Sequence, residues 1–226
     1  MQIASIRARS LSTSVFLKAV LAATGGAWLV YLTLHLYSNV QLFFGAEAFD
    51  AYYTALKASP AQLWGVRGVL LVSLVLHVAA SYVISKRSID ARPQRYHVKK
   101  DVVTTYAART MRWTGPIVGL YIVYHLLHLT VGVAMPPGVE HGPETYYANV
   151  VGSFQVWYVA LFYVVANTAL VVHLSHGISS MFQSLGLAGS ELDPWRHRIA
   201  AGFAIVLCAG FVSIPIAVWA GLINLT

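Results

Sequence analysis

Residues 63–85 read LWGVRGVLLVSLVLHVAASYVIS, with Arg67 near the start and His77 as the only other ionisable side chain apart from Tyr82. A run of this length is too long for a buried strand and, as a helix, spans the roughly 30 Å of a bilayer's hydrocarbon. Four further runs share the pattern, at 15–38, 113–135, 154–181 and 199–222. The connectors carry turn residues such as Ser59-Pro60, Arg92-Pro93, Pro136-Pro137-Gly138 and Asp193-Pro194. The expected fold is an all-α membrane protein with five transmembrane helices in a single domain, residues 1–226, without internal repeats. The first run exceeds a signal peptide's apolar core, and His35 and Asn39 stand where a small-residue cleavage site would be wanted, so it is read as a true span.

Composition agrees. Of 226 residues, 58% are hydrophobic and only 10% charged, and the mean hydropathy is +0.64, which excludes an ordinary water-soluble globule. The single cysteine, Cys208, excludes an internal disulfide, a cysteine-only iron–sulfur site and covalent C-x-x-C-H haem attachment. The net charge of +7 comes from basic residues divided among membrane-flanking segments, which argues against a nucleic-acid partner. Most lie before the first span, in the connector 86–112 and in the connector 191–198, with only Lys57 and Arg67 on the opposite side. Lys and Arg collect on the cytoplasmic face. The expected location is the cytoplasmic (inner) membrane, with the N-terminus and those two connectors inside and the C-terminus outside. The long basic connector would meet anionic lipid or a docked soluble partner.

Nine histidines are the unusual count, because ionisable groups within a bilayer are costly and mark function. His97, His141 and His197 fall in connectors or at a span edge and are read as solvated or interfacial. The other six, His35, His77, His125, His128, His173 and His176, lie within the first four spans. At about 1.5 Å per residue, His35 stands about 24 Å from Ala19 and His125 about 18 Å from Trp113, which places both in the outer half of the membrane. Spans two and four run the other way, so His77, about 21 Å from Leu63, and His173, about 26 Å from Val156, fall in the inner half. The pattern predicts two bis-histidine sites stacked in a four-helix bundle. Zinc wants four ligands, often with sulfur or carboxylate, and neither level holds a carboxylate or thiol. Haem supplies four nitrogens itself and needs two more, so two haem b groups are the expected cofactors. Gly25, ten residues before His35, and Gly115 and Gly119, ten and six before His125, would let a flat macrocycle approach the backbone, or would simply pack helices. The pairs His125/His128 and His173/His176 are spaced i,i+3, so spacing leaves open which member binds iron.

Leu34-His35-Leu36 followed by Asn39 and Gly45-Ala46-Glu47-Ala48-Phe49, His77 in span two, Thr114-Gly115 ten residues before His125, and His173-Leu174-Ser175 before Gly177 together resemble a known family. It is the di-haem cytochrome b membrane anchor of succinate dehydrogenase and fumarate reductase, in its single-subunit, five-helix form. The likeness covers nearly the whole chain. It implies His35 and His125 as axial ligands of the outer haem iron and His77 and His173 as those of the inner one. His128 and His176 fall outside the family pattern and are assigned a supporting or quinone-pocket role. The resemblance further implies a flavoprotein subunit that oxidises succinate and an iron–sulfur subunit, both on the cytoplasmic side. Electrons would pass through the haems to a quinone, with menaquinone expected, and oligomers of the whole complex are conceivable. The chain has no flavin fingerprint, cysteine cluster or acid/base dyad, so succinate chemistry falls to a partner.

Propionates of an inner haem would find Arg112 and Arg109, with Lys18 and Gln183 behind them, although these residues also fit plain positive-inside flanking. Arg67 would either snorkel outward or meet the outer propionates. Glu47 is either a solvated connector acid or a proton acceptor for quinone chemistry. Span five, with Pro215 inside it, is expected to pack or to contact a neighbouring copy. Three other readings remain: a di-haem subunit of another quinone-linked dehydrogenase, a non-redox transporter using its histidines as a relay, and a purely structural anchor lacking haem, which would leave the histidine levels unexplained.

Overall fold

The computed structural model describes residues 13–91, 94, 105–143, 145–187, 189 and 193–225, with the side chains of Asp193 and Pro194 left aside. His97, Arg92-Pro93, Glu191 and most of the basic connector lie outside the described residues. Every regular element described is helical. Five helices are long and apolar enough to cross a membrane, and the chain is a multi-pass membrane protein.

Helix α1, Ser14–Val40, begins where the Thr13 hydroxyl accepts the Phe16 amide at 3.2 Å and continues through a 3₁₀ turn, Gln41–Phe44. Gly45, at φ +97°, ends it in a conformation that favours glycine. A short helix follows at the connector. Helix α2, Ala46–Lys57, lies between the first two spans, and α3, Pro60–Asp90, starts on the Ser59 hydroxyl cap with proline in its first turn. Helix α4, Tyr106–His125, capped by Thr105, widens into π-helical turns over Leu126–Val131 and stops at Gly132, φ +83°. Helix α5, Tyr146–Gln155, is separated from α6, Trp157–Ser184, by extended Val156. Helix α7 is Asp193–Trp219.

Several boundaries differ from the sequence reading: span one runs on to Phe44, span two covers Pro60–Asp90 and span three Tyr106–Val131. Residues 154 and 155 finish a separate helix rather than starting span four. Asp193-Pro194 opens a helix instead of forming a loop, in keeping with proline's fitness for a first turn. The connector 39–62 contains α2, whose apolar residues lie on one side and include the buried Phe49.

Close packing joins α1 to α3, α6 and α7, and α6 to α4 and α7. The four histidine-bearing helices therefore follow one another around the bundle as α3, α1, α6, α4. Helices α1 and α4 stand two steps apart in that order, on one diagonal, as do α3 and α6 on the other; neither diagonal is closely packed, nor is the fourth side, α3 with α4. The upper end of the bundle is the end opposite the start of α1. The main hydrophobic core gathers there, built from Leu42, Phe49, Val150, Val151, Phe154, Val159, Tyr163, Ile214 and Val218. Connectors lock onto one another at the same end. The Asp50 carboxylate accepts the Tyr147 amide at 2.7 Å, the Lys57 ammonium sits 4.0 Å from the Tyr146 ring centre, and the Tyr147 hydroxyl donates to the Asn224 carbonyl at 3.2 Å. Burial raises the Tyr53 hydroxyl well above its ordinary pKa, so this connector residue stays neutral in the aromatic cluster it forms with Phe49 and Tyr146.

Candidate functional site

Each diagonal of the bundle is bridged by a pair of imidazoles. At the upper level the rings of His35, from α1, and His125, from α4, have centroids 5.9 Å apart. At the lower level His77, from α3, and His173, from α6, stand 6.4 Å apart. All four are half-buried. Helices that do not pack closely thus meet at these side chains.

The surroundings of the two levels differ. Tyr31 stacks on His35 at 5.4 Å with planes 10° apart, and Phe211 of α7 approaches the same ring at 5.8 Å. The last span therefore helps to wall the upper level, beside Gly210, where a Cβ would lie 2.7 Å from a Leu36 methyl. His125 Nδ1 lies 3.3 Å from the Tyr163 hydroxyl. The same hydroxyl is 2.9 Å from His128 Nδ1, and His128 Nε2 is 3.0 Å from Ser153 Oγ. Both ring nitrogens of His128 are thereby engaged, and the residue is fully buried. The Ser153 hydroxyl donates to the Asn149 carbonyl at 2.6 Å. Asn149 clamps Gly142 in turn, donating to its carbonyl at 2.7 Å and accepting its amide at 2.9 Å.

At the lower level, His77 Nδ1 is 3.0 Å from Thr24 Oγ1, and that hydroxyl donates to the Val20 carbonyl at 2.7 Å. His173 Nδ1 is buried without a hydrogen-bond partner. Small residues from the other diagonal border both rings: a Cβ on Gly25 would lie 3.5 Å from His77 Cε1, and one on Gly115 would lie 3.9 Å from His173 Cε1. By sequence distance Gly25 is counted from His35 and Gly115 from His125. Ten helical residues span about 15 Å, so both glycines fall one level away, beside the other pair. Gly119 has no such neighbour within 4 Å.

Among the described residues, no three His, Cys, Asp or Glu side chains converge on a metal position. The donor set is two imidazoles per level, which suits a group that brings its own equatorial ligands. With imidazole nitrogens about 2 Å from a shared metal on opposite sides, ring centroids stand about 6 Å apart, close to both observed separations. The residues present fit two haems.

The other expected residues are dispersed. Arg112, Arg109, Lys18 and Gln183 are exposed toward the lower end. The Arg67 guanidinium covers the exposed Trp64 ring at 4.9 Å. Glu47 is exposed in the first turn of α2. His176 is half-buried, within electrostatic reach of His197 and Arg196. His197, set aside as interfacial, accepts or donates at 2.9 Å with the buried Ser179 hydroxyl and lies 3.3 Å from the Arg196 guanidinium. His141, also set aside, packs its ring onto Gly132. Thr24, Tyr163, Ser153 and Asn149 were not singled out, because in an apolar run or a connector nothing marks a lone hydroxyl or amide as facing a histidine.

A family model described as succinate dehydrogenase/fumarate reductase transmembrane subunit matches residues 84–213. The matched segment holds His125, His128, His173 and His176 and begins after His35 and His77. No curated protein and no solved structure gives a match.

Proposed function

The chain belongs to the succinate dehydrogenase/fumarate reductase transmembrane subunit family, and from that premise we propose that it is the di-haem cytochrome b anchor of a succinate:quinone oxidoreductase. The observation that carries this reading is the pairing of imidazoles across both diagonals, His35 with His125 at 5.9 Å and His77 with His173 at 6.4 Å. His35 and His125 would hold the upper haem iron, and His77 and His173 the lower one. Haem supplies one-electron carrier chemistry at each level. The chain's own contribution is to present four neutral imidazoles, to leave room beside them at Gly25 and Gly115, and to surround both levels with apolar helices that keep water out.

The lower end, where basic residues flank the spans, is the cytoplasmic side in this reading. An iron–sulfur subunit docks there and delivers electrons that a flavoprotein subunit has taken from succinate. The electrons leave to a quinone, menaquinone by expectation. Arg112 and Arg109, with Lys18 and Gln183, are the residues for lower-level propionates, and Arg67 is the residue for the upper ones. His176 and Glu47 are assigned to quinone-linked roles, Glu47 exchanging a proton at the upper surface. As a subunit without a catalytic head, the chain performs no succinate chemistry itself.

A reduced-minus-oxidised spectrum of the purified complex with a haem count tests the assignment. Two low-spin b haems per chain are expected. Replacing His77 or His173 with alanine should remove one, and replacing His35 or His125 the other. Absence of haem, or loss that follows His128 or His176 instead, would overturn the ligand set. Membership of another quinone-linked dehydrogenase would show as a different co-purifying head.

A further inference from the structure

We propose that Tyr163, His128 and Ser153 form one positioning chain that holds His125 in the tautomer with a bare Nε2, and that Thr24 does the same for His77; this rests on the haem reading above. The direction of each hydrogen bond follows from the end of the chain. Ser153 Oγ lies 2.6 Å from the Asn149 carbonyl. A carbonyl only accepts, so the single hydroxyl proton sits between them. Ser153 must then accept from His128 Nε2 at 3.0 Å. A neutral imidazole carries one N–H, so His128 Nδ1 accepts the Tyr163 proton at 2.9 Å. With its proton committed, the Tyr163 oxygen accepts from His125 Nδ1 at 3.3 Å. The lone pair of His125 is left on Nε2.

Burial protects this order. His128 and Ser153 are both 0% exposed and Tyr163 is 4% exposed, so water does not compete for the links. The chain terminates on a backbone carbonyl, which cannot pass a proton onward. It therefore orients its members and does not conduct. The lower level reaches the same result with different residues. Thr24 Oγ1 is 2.7 Å from the Val20 carbonyl, so it accepts from His77 Nδ1 at 3.0 Å and leaves His77 Nε2 bare. Two hydroxyls, each grounded on the carbonyl four residues earlier, thus fix one imidazole in each pair. A partner accepting the far N–H also raises a ligand's basicity, which favours the oxidised iron.

The test is a potentiometric titration of the purified complex, with the upper haem identified as the one that His125→Ala removes. Tyr163→Phe should keep both haems and raise the upper haem's potential by about 59 mV, a tenfold change in a one-electron equilibrium, with the lower haem unmoved. Thr24→Val should shift the lower haem alone. A Tyr163→Phe variant that shifts neither haem, or shifts the lower one, overturns the proposal. Where Tyr163→Phe loses the upper haem, Ser153→Ala decides: a smaller upward shift of the upper haem supports the chain, and an unmoved potential overturns it. Histidine ¹⁵N shifts keep the two readings apart. If the wild-type complex holds no haem, the haem reading fails, yet a protonated Nδ1 on His125 that is lost in Tyr163→Phe still supports the chain, and a protonated Nε2 defeats it.

Discussion

His125 and His128 are three residues apart, yet their bonding separates them: one has Nδ1 tied to Tyr163 and its ring 5.9 Å from that of His35, and the other has both nitrogens tied to Tyr163 and Ser153. A buried polar group without partners costs about 1–3 kcal/mol, so a histidine already satisfied on both sides has little reason to turn toward a metal. The glycines are equally position-specific. A Cβ on Gly25 meets the His77 ring at 3.5 Å, ordinary contact, so Gly25→Ala is expected to retain both haems. Gly25→Leu adds a branched chain where the ring edge stands, and is expected to lose the lower haem while the upper survives; the reduced-minus-oxidised spectrum checks both. If Gly25 instead served the His35 pair, the upper haem would disappear.

At the scale of elements, the end of α4 is constrained on two sides. His125 closes the regular helix, the next six residues take the rarer π form, and such segments are often found at functional sites. The wider turn is immediately followed by Gly132 at φ +83°, against which the His141 ring is packed. Gly132→Ala introduces both left-handed strain and a clash with that ring, and is expected to cost about 1–3 kcal/mol, read as a lowered midpoint of thermal unfolding in detergent. The paired substitution His141→Ala should relieve the steric part and leave the conformational part. Asn149→Ala, which releases both hydrogen bonds to Gly142, is expected to destabilise the same connector by about 1–3 kcal/mol, again as a lower midpoint, and to leave the lower haem's spectrum unchanged.

For the whole molecule, the long spans were legible because runs such as residues 63–85 are too long and too apolar to be anything else. The placing of histidines at two heights was legible as well, since a rigid rise per residue converts sequence distance into depth. The short helices α2 and α5 were not. Phe49 and Tyr53 share their segment with Glu47, Asp50 and Lys57, and that mixture reads as a connector until α5 is known to lie against it. Tyr163 was hidden for the opposite reason: in VALFYVVA, residues 159–166, an aromatic side chain looks like packing, and only the facing α4 turns its hydroxyl into a partner for two imidazoles. Arg196 and His197 gained significance only when α7 folded back onto Ser179.

Among the described residues, the main core and the Asp50–Tyr147 and Tyr147–Asn224 links gather at the upper end, while the lower end has the contacts of Arg196 and His197 with Ser179; from this distribution an order of disassembly is expected. Regions with fewer buried contacts open first. Under rising denaturant or a harsher detergent, the absorbance that His77→Ala abolishes should bleach ahead of the absorbance that His35→Ala abolishes, giving a staged loss of colour in a stopped-flow trace. A single concerted bleach would mean that the two levels share one cooperative unit despite their unequal walls.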